Sequence, residues 1–151
     1  MVMKILDAKK IKYNHYTYEA DSKTTGEEIA KILNEDPNTV FKTLVTVGKS
    51  GRNYVFVIPV LKELDLKKAA KCVNEKFIEM IKSKDLLPTV GYVHGGCSPI
   101  GMKKTLTTFF DESLNNLDKV IFSGGKIGFQ VELDVKDLCK VINYRTADLV
   151  I

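Results

Sequence analysis

Two strands and the turn between them constrain this chain most. VFKTLVTVG (40–48) and NYVFVIPV (53–60) are rich in β-branched and aromatic residues, and KSGR stands between them. Such side chains suit a pleated, packed surface and lose rotamer freedom in a helix. Ser50-Gly51 supplies the backbone freedom of a tight connection. The stretch therefore predicts an antiparallel hairpin. KVIFSGG (119–125) and IGFQVEL (127–133) predict a second one around Gly124-Gly125-Lys126. Further strands are expected at 12–21, where Tyr and His alternate with polar residues, at 76–80 and at TLTTFFD (105–111).

The helices are short. KILDAKK (4–10) turns Ile5 and Leu6 inward. A second helix starts after Thr24-Thr25, with Glu27 and Glu28 in the first turn, where acids suit the helix dipole. Its apolar face is Ile29, Ala30, Ile32 and Leu33. DLKKAAKCV (65–73), MIKSKDLL (80–87) and VKDLCKVIN (135–143) are the others. Pro88 is expected to end the MIKSKDLL helix. Asp134 is expected to cap the last helix, which turns Val135, Leu138, Cys139 and Ile142 inward. ESLNNL (112–117) reads as a helical turn, and Asp36-Pro37-Asn38 as a turn. No repeat, low-complexity run or linker interrupts the sequence, so a single domain over 1–151 is expected. Hairpins set among short helices predict an α+β fold. Its core is a curved, mixed, largely antiparallel sheet or barrel-like sheet flanked by short helices, not a doubly wound one.

Composition excludes more than it selects. No window is apolar for long enough to span a membrane, and the charged N-terminus is unlike a signal peptide, so the cytoplasm is expected. Cys72, Cys97 and Cys139 are odd in number and widely spaced, with only His15 and His94 to join them. Neither a disulfide framework nor a metal site follows, and no cofactor is implied. The formal charge of +4 is compatible with a polyanionic partner and does not identify one. Nothing reads as a DNA-binding module.

YVHGGCSPIG (92–101) concentrates unusual residues in one loop and is followed by Lys103 and Lys104. Gly96 to Gly101 has the gap of a phosphate loop. However, Met102 stands where that motif needs lysine, and a strand follows where it needs a helix. The loop is then either a sharp structural turn or a place where backbone N–H groups meet a carbonyl oxygen. Cys97 reads as a small, partly buried thiol without an activating partner. Ser98 lacks the strand–turn–helix context of a serine nucleophile. Lys42 sits inside an otherwise apolar strand, so it lines a pocket, reaches a rim or guards a sheet edge. Tyr16 and Tyr18 share a strand face and either pack or line a pocket. Ser123 reads as a turn residue.

In order and spacing, FKTL with Lys42, LDLKKAAK (64–71), GYVHGGCSPIGMKK and SGGKIGFQVEL resemble the YbaK family. The resemblance covers nearly the whole chain. It implies a small barrel-like domain of the aminoacyl-tRNA editing superfamily, with a pocket for the acceptor end of aminoacyl-tRNA. It implies release of cysteine mischarged onto proline tRNA, with prolyl-tRNA synthetase as partner. Carried over by position, Lys42 matches the key lysine and Tyr18 a pocket tyrosine. Gly95 and Gly96 match the glycine loop beside the ester, completed by Ser98, Pro99 and Gly101. Ser123 and Gly124 match the opposite wall. Thr25 stands where relatives often carry a bulky residue, and Cys97 where they carry Ile or another small apolar one. The resemblance further implies that the substrate's own thiol displaces the tRNA as a thiolactone. Lys103, Lys104 and Lys126 are candidate phosphate contacts. Two other readings stay open: editing of Ala-tRNA(Pro), and a non-catalytic tRNA- or nucleotide-binding module.

Overall fold

The computed structural model describes residues 1–151. Both expected hairpins form. In the first, β2 (Phe41–Gly48) pairs antiparallel with β3 (Asn53–Pro59), Phe41 opposite Pro59 and Val47 opposite Asn53. In the second, β6 (Lys119–Ser123) pairs with β7 (Phe129–Asp134). β1 (Tyr13–Thr17) adds to β7 and completes a three-stranded sheet ordered β1-β7-β6. The other sheet has five strands, β4-β2-β3-β5-β8. Here β4 is Ile78–Met80, β5 is Thr107–Asp111 and β8 is Arg145–Ala147. β5 and β8 run parallel to their neighbours, and the remaining pairs are antiparallel. The sheets are thus mixed and largely antiparallel, as expected. They do not close into a barrel. A single parallel bridge, Val40 to Ile121, links them.

Side-chain alternation explains the layering. Phe41, Val45, Val55 and Val57 face the three-stranded sheet and share its core with Val120, Phe122, Val131 and Leu133. The Phe110 ring contacts Phe41 at 6.2 Å and Phe122 at 6.4 Å, so aromatics from both sheets meet there. Tyr54, Phe56 and Ile58 face the other way, onto Ala69 and Ala70 of α3 (Leu66–Cys72). A third cluster of Ala30, Val40 and Ile121 holds α2 (Gly26–Leu33) over the bridge. Burying each such aliphatic or aromatic side chain contributes about 1.5–3 kcal/mol.

Five local expectations need correction. Pro88 does not end its helix: α4 runs Ser83–Val90 with Pro88 inside and stops at Gly91. Buried Leu86 and Val90 dock it on the main core, which offsets the one hydrogen bond proline removes. The last helix, α5, is only Val135–Leu138, and Asp134 occupies its N-cap position without a side-chain bond. Cys139 therefore lies past the helix and is exposed. Ile32 is likewise 52% exposed, because the neighbours of α2 cover only the side that carries Ala30. β1 is shorter than the 12–21 stretch. α1 (Val2–Ala8) buries Val2 and Leu6, with Ile5 packed against the same core.

Candidate functional site

The environment of β2 changes along its length. β3 covers one edge throughout. On the other edge, β4 pairs with Thr46 to Gly48, and Val40 bridges to Ile121. Between these attachments, residues 41 to 44 meet no strand. This gap opens into a cavity of about 630 Å³. That volume suits a small-molecule-sized group. The cavity is walled by β2, by Ser22–Gly26 at the start of α2, by Met80, Ile81, Ser83 and Leu86, and by His94, Gly95 and Cys97. Ser123 and Gln130 enter from the other sheet.

Lys42 lines this cavity, half-buried, and joins none of the four ion pairs in the chain. Burial pushes its ammonium below the ordinary lysine value, an effect opposed by the charge of Glu63. Pocket lining is one of the three roles the sequence leaves open for Lys42, and it is met on an unpaired stretch of the β2 edge.

The glycine loop divides into two halves. His94, Gly95 and Cys97 reach the cavity. Gly95 has φ +87, a conformation that favours glycine, and its N–H has no acceptor within the chain. The Gly96 N–H already donates to the Val93 carbonyl at 3.0 Å. Gly96 packs on the turn after β6: a Cβ there would lie 3.0 Å from Ile127 N and Lys126 Cα. The second half is an anchor. Ser98, Pro99 and Ile100 are buried, the Ser98 hydroxyl accepts the Ile100 N–H, and the Tyr92 hydroxyl donates to the Ile100 carbonyl. Ser98, Pro99 and Gly101 stay outside the cavity lining.

Thr25 lines the cavity and caps α2. Its hydroxyl accepts the Glu28 N–H at 3.1 Å, while the Glu28 carboxylate accepts the Thr25 N–H at 3.2 Å. Ser123 lines the wall and accepts the Gly125 N–H at 3.2 Å. Gly124 bonds to the Phe129 carbonyl and does not line the wall. Tyr18 stands just past β1. Its hydroxyl accepts from Gln130 Nε2 at 3.0 Å, so it reaches the cavity only through Gln130. Tyr16 bonds Glu35 instead, at 3.0 Å. Lys103, Lys104 and Lys126 are exposed and outside the lining, whereas Lys23 is part of it. Burial pushes the Cys97 thiol up to about 12, so it is a neutral wall group and no nucleophile at neutral pH.

Sequence reasoning missed Thr43 and Gln130. Thr43 Oγ1 is buried without a hydrogen-bond partner. Gln130 lies opposite Ser123 in the β6–β7 register, so the second hairpin could have revealed it. The apolar wall of Ile29, Met80, Ile81 and Leu86 carries no local signal.

The sequence profile of the aminoacyl-tRNA editing domain matches residues 19–141. The chain belongs to this family. The YbaK resemblance is thereby borne out. The editing domain is 39% identical over 148 residues to a protein of Enterococcus faecalis named "Putative Cys-tRNA(Pro)/Cys-tRNA(Cys) deacylase EbsC". The match covers 97% of this chain and 90% of that one. It also superposes on a solved structure described as "a putative trans-editing enzyme for prolyl tRNA synthetase", with TM-score 0.85 and 25% identity. That superposition covers 99% of this chain and 94% of the other. A second solved structure, hypothetical protein APE2540, has TM-score 0.86 at 20% identity, covers 99% of each chain, and shows the fold alone.

Proposed function

We propose that this editing domain is a free-standing deacylase that releases cysteine from Cys-tRNA(Pro). One observation carries the reading: an unpaired, half-buried Lys42 shares a small-molecule-sized cavity with the unbonded N–H of Gly95. An aminoacyl ester is already activated. Its cleavage requires a held carbonyl, a stabilised oxyanion and a positioned leaving group. The Gly95 N–H is the loop's donor toward the oxyanion, and Lys42 supplies positive charge to the oxyanion or to the ribose-phosphate leaving group. Gly96, its own N–H engaged, acts by holding the loop against the 126–127 turn. Thr25, Ser123 and Gln130 shape the aminoacyl end, with Tyr18 fixing Gln130.

No histidine–carboxylate pair lines the cavity. The substrate's own thiol then serves as nucleophile: sulfur bonds the carbonyl carbon, the ester C–O bond breaks, and the thiol proton passes to the ribose oxygen. Size alone separates small side chains by only about 1–3 kcal/mol per methylene, so the thiol supplies the selectivity. The neighbour described as a trans-editing enzyme for prolyl tRNA synthetase supports that synthetase as partner, in the cytoplasm where tRNA is charged.

The test is release of amino acid from Cys-, Ala- and Ser-tRNA(Pro) by wild type and Lys42→Ala. Release from the cysteine ester alone is expected, lowered at least about a hundredfold in the variant. Release from alanine would keep the enzyme class and replace the specificity. No release from any ester would leave a binding module.

A further inference from the structure

The cavity contains no acid. Among the residues lining it the only charged or titratable side chains besides the Cys97 thiol are Lys42, Lys23 and His94. The carboxylates on the surrounding elements are placed elsewhere. Glu63, after β3, acts on Lys42 from outside the lining. In the loop before α2, Asp21 accepts the Lys23 N–H and the Thr24 hydroxyl. On α2, Glu28 closes the capping box and Glu27 lies 3.9 Å from Lys31. Glu79 on β4 and Asp85 on α4 are exposed, and Glu132 on β7 bonds Asn14. Lys126, beside the glycine loop, is exposed over the Phe129 ring.

An aminoacyl ester carries its α-nitrogen one carbon from the carbonyl that reacts. As an ammonium, that nitrogen would enter a cavity that already carries Lys42 and Lys23, with no carboxylate in its lining to meet it. An α-amino group has a pKa of only about 7.7–8.0, so its neutral form is accessible near neutral pH. The acceptors the wall does offer are uncharged. They are Ser123 and Gln130, which line the space. Such groups can accept an N–H from a neutral amine or an amide, but cannot balance a full positive charge.

We infer that the cavity takes the acyl nitrogen only uncharged, and that N-acylated aminoacyl-tRNA is a further substrate class of the same site. The inference rests on the deacylase reading. For the added class, sulfur of an N-acylcysteinyl ester bonds the carbonyl carbon and the ester C–O bond breaks. The thiol proton passes to the ribose oxygen, leaving N-acylated thiolactone and free tRNA.

The experiment compares Cys-tRNA(Pro) with N-acetyl-Cys-tRNA(Pro) from about pH 5.5 to 8.5, corrected for spontaneous hydrolysis, and reads the ratio of their kcat/KM values. The ratio cancels titration of Lys42, which both reactions share; the thiol pKa of each ester is measured separately and its ionised fraction divided out, because the α-ammonium lowers it in the free-amine ester alone. N-acetyl-Cys-tRNA(Pro) should be turned over at every pH. The ratio in its favour should rise about tenfold for each pH unit below the amine's pKa. A flat ratio, or an intact N-acetyl ester alongside a cleaved free one, would overturn the inference and leave the deacylase reading standing. Cleavage of neither would remove both. Gln130→Glu gives a second reading, because a carboxylate there can keep the contact with Tyr18 by reversing the bond, the tyrosine hydroxyl donating where it now accepts from Gln130 Nε2. It should raise kcat/KM for the free-amine ester at low pH and lower it for the N-acetyl ester. Unchanged values in that variant would also count against the inference.

Discussion

Lys42 is a residue whose charge, proposed to act in the site, is held at the expense of the fold. Burial lowers its pKa, so the unfolded chain holds that proton more tightly than the folded one. Below the folded-state value both states are protonated and the folded chain bears the desolvated charge. As pH rises through that value toward the ordinary 10.5, folded Lys42 sheds its proton first and stability rises. Lys42→Met should therefore melt a few degrees above wild type at pH 7 while losing deacylation. That gap should narrow as thermal melts approach the ordinary lysine pKa. Cys97 shows the opposite balance. Its thiol is held neutral by burial, so Cys97→Ala should cost about 1 kcal/mol in urea unfolding and leave kcat within about twofold. A large loss of kcat in a folded Cys97→Ala protein would restore the thiol to the chemistry.

Among the elements, the glycine loop depends most on a neighbour distant in sequence. Its active half is set by contact with the turn between β6 and β7, and its other half is pinned by Tyr92 and Ser98. Gly96→Ala would push a methyl against the backbone of Lys126 and Ile127, which cannot yield as a flexible side chain can. Overpacking of this kind costs about 1–3 kcal/mol. Because the strain falls on the segment carrying Gly95, kcat should drop at least about tenfold at temperatures where circular dichroism shows the variant folded. The helices followed local signals less closely than the strands did. Thr25 and Asp65 cap α2 and α3 through their side chains, as their residue types favour. α4 continues past Pro88 because its face is buried, and α5 stops early. β8 was not anticipated: it is three residues long and exists only as the parallel neighbour of β5.

At the scale of the whole molecule, the site exists because two sheets are joined at one bridge and left open beside it. The cavity lies in that opening, and Lys23 is at its wall while the other candidate cations stand outside. tRNA held mainly through phosphate contacts should bind less tightly as salt rises. If three phosphates of the single-stranded end are neutralised, KM for Cys-tRNA(Pro) should rise about twentyfold from about 50 to 200 mM salt, while kcat holds. A salt-independent KM would assign tRNA capture to a partner protein.

Both hairpins, the capped start of α2, the glycine loop and the unusual placement of Lys42 could be read directly, because each depends on residues close together in sequence. Period-two alternation, a turn glycine and a capping threonine act over a few positions, and so they survive without knowledge of the fold. The carboxylate-free wall, the split of the glycine loop into a cavity-lining half and a buried anchor, and the placement of Thr43 and Gln130 in the wall had no such signature. Each depends on which edge of β2 is left unpaired and on which residue of β7 faces Ser123. Long-range sheet pairing decides both, since one register step turns a side chain from the cavity to the other face.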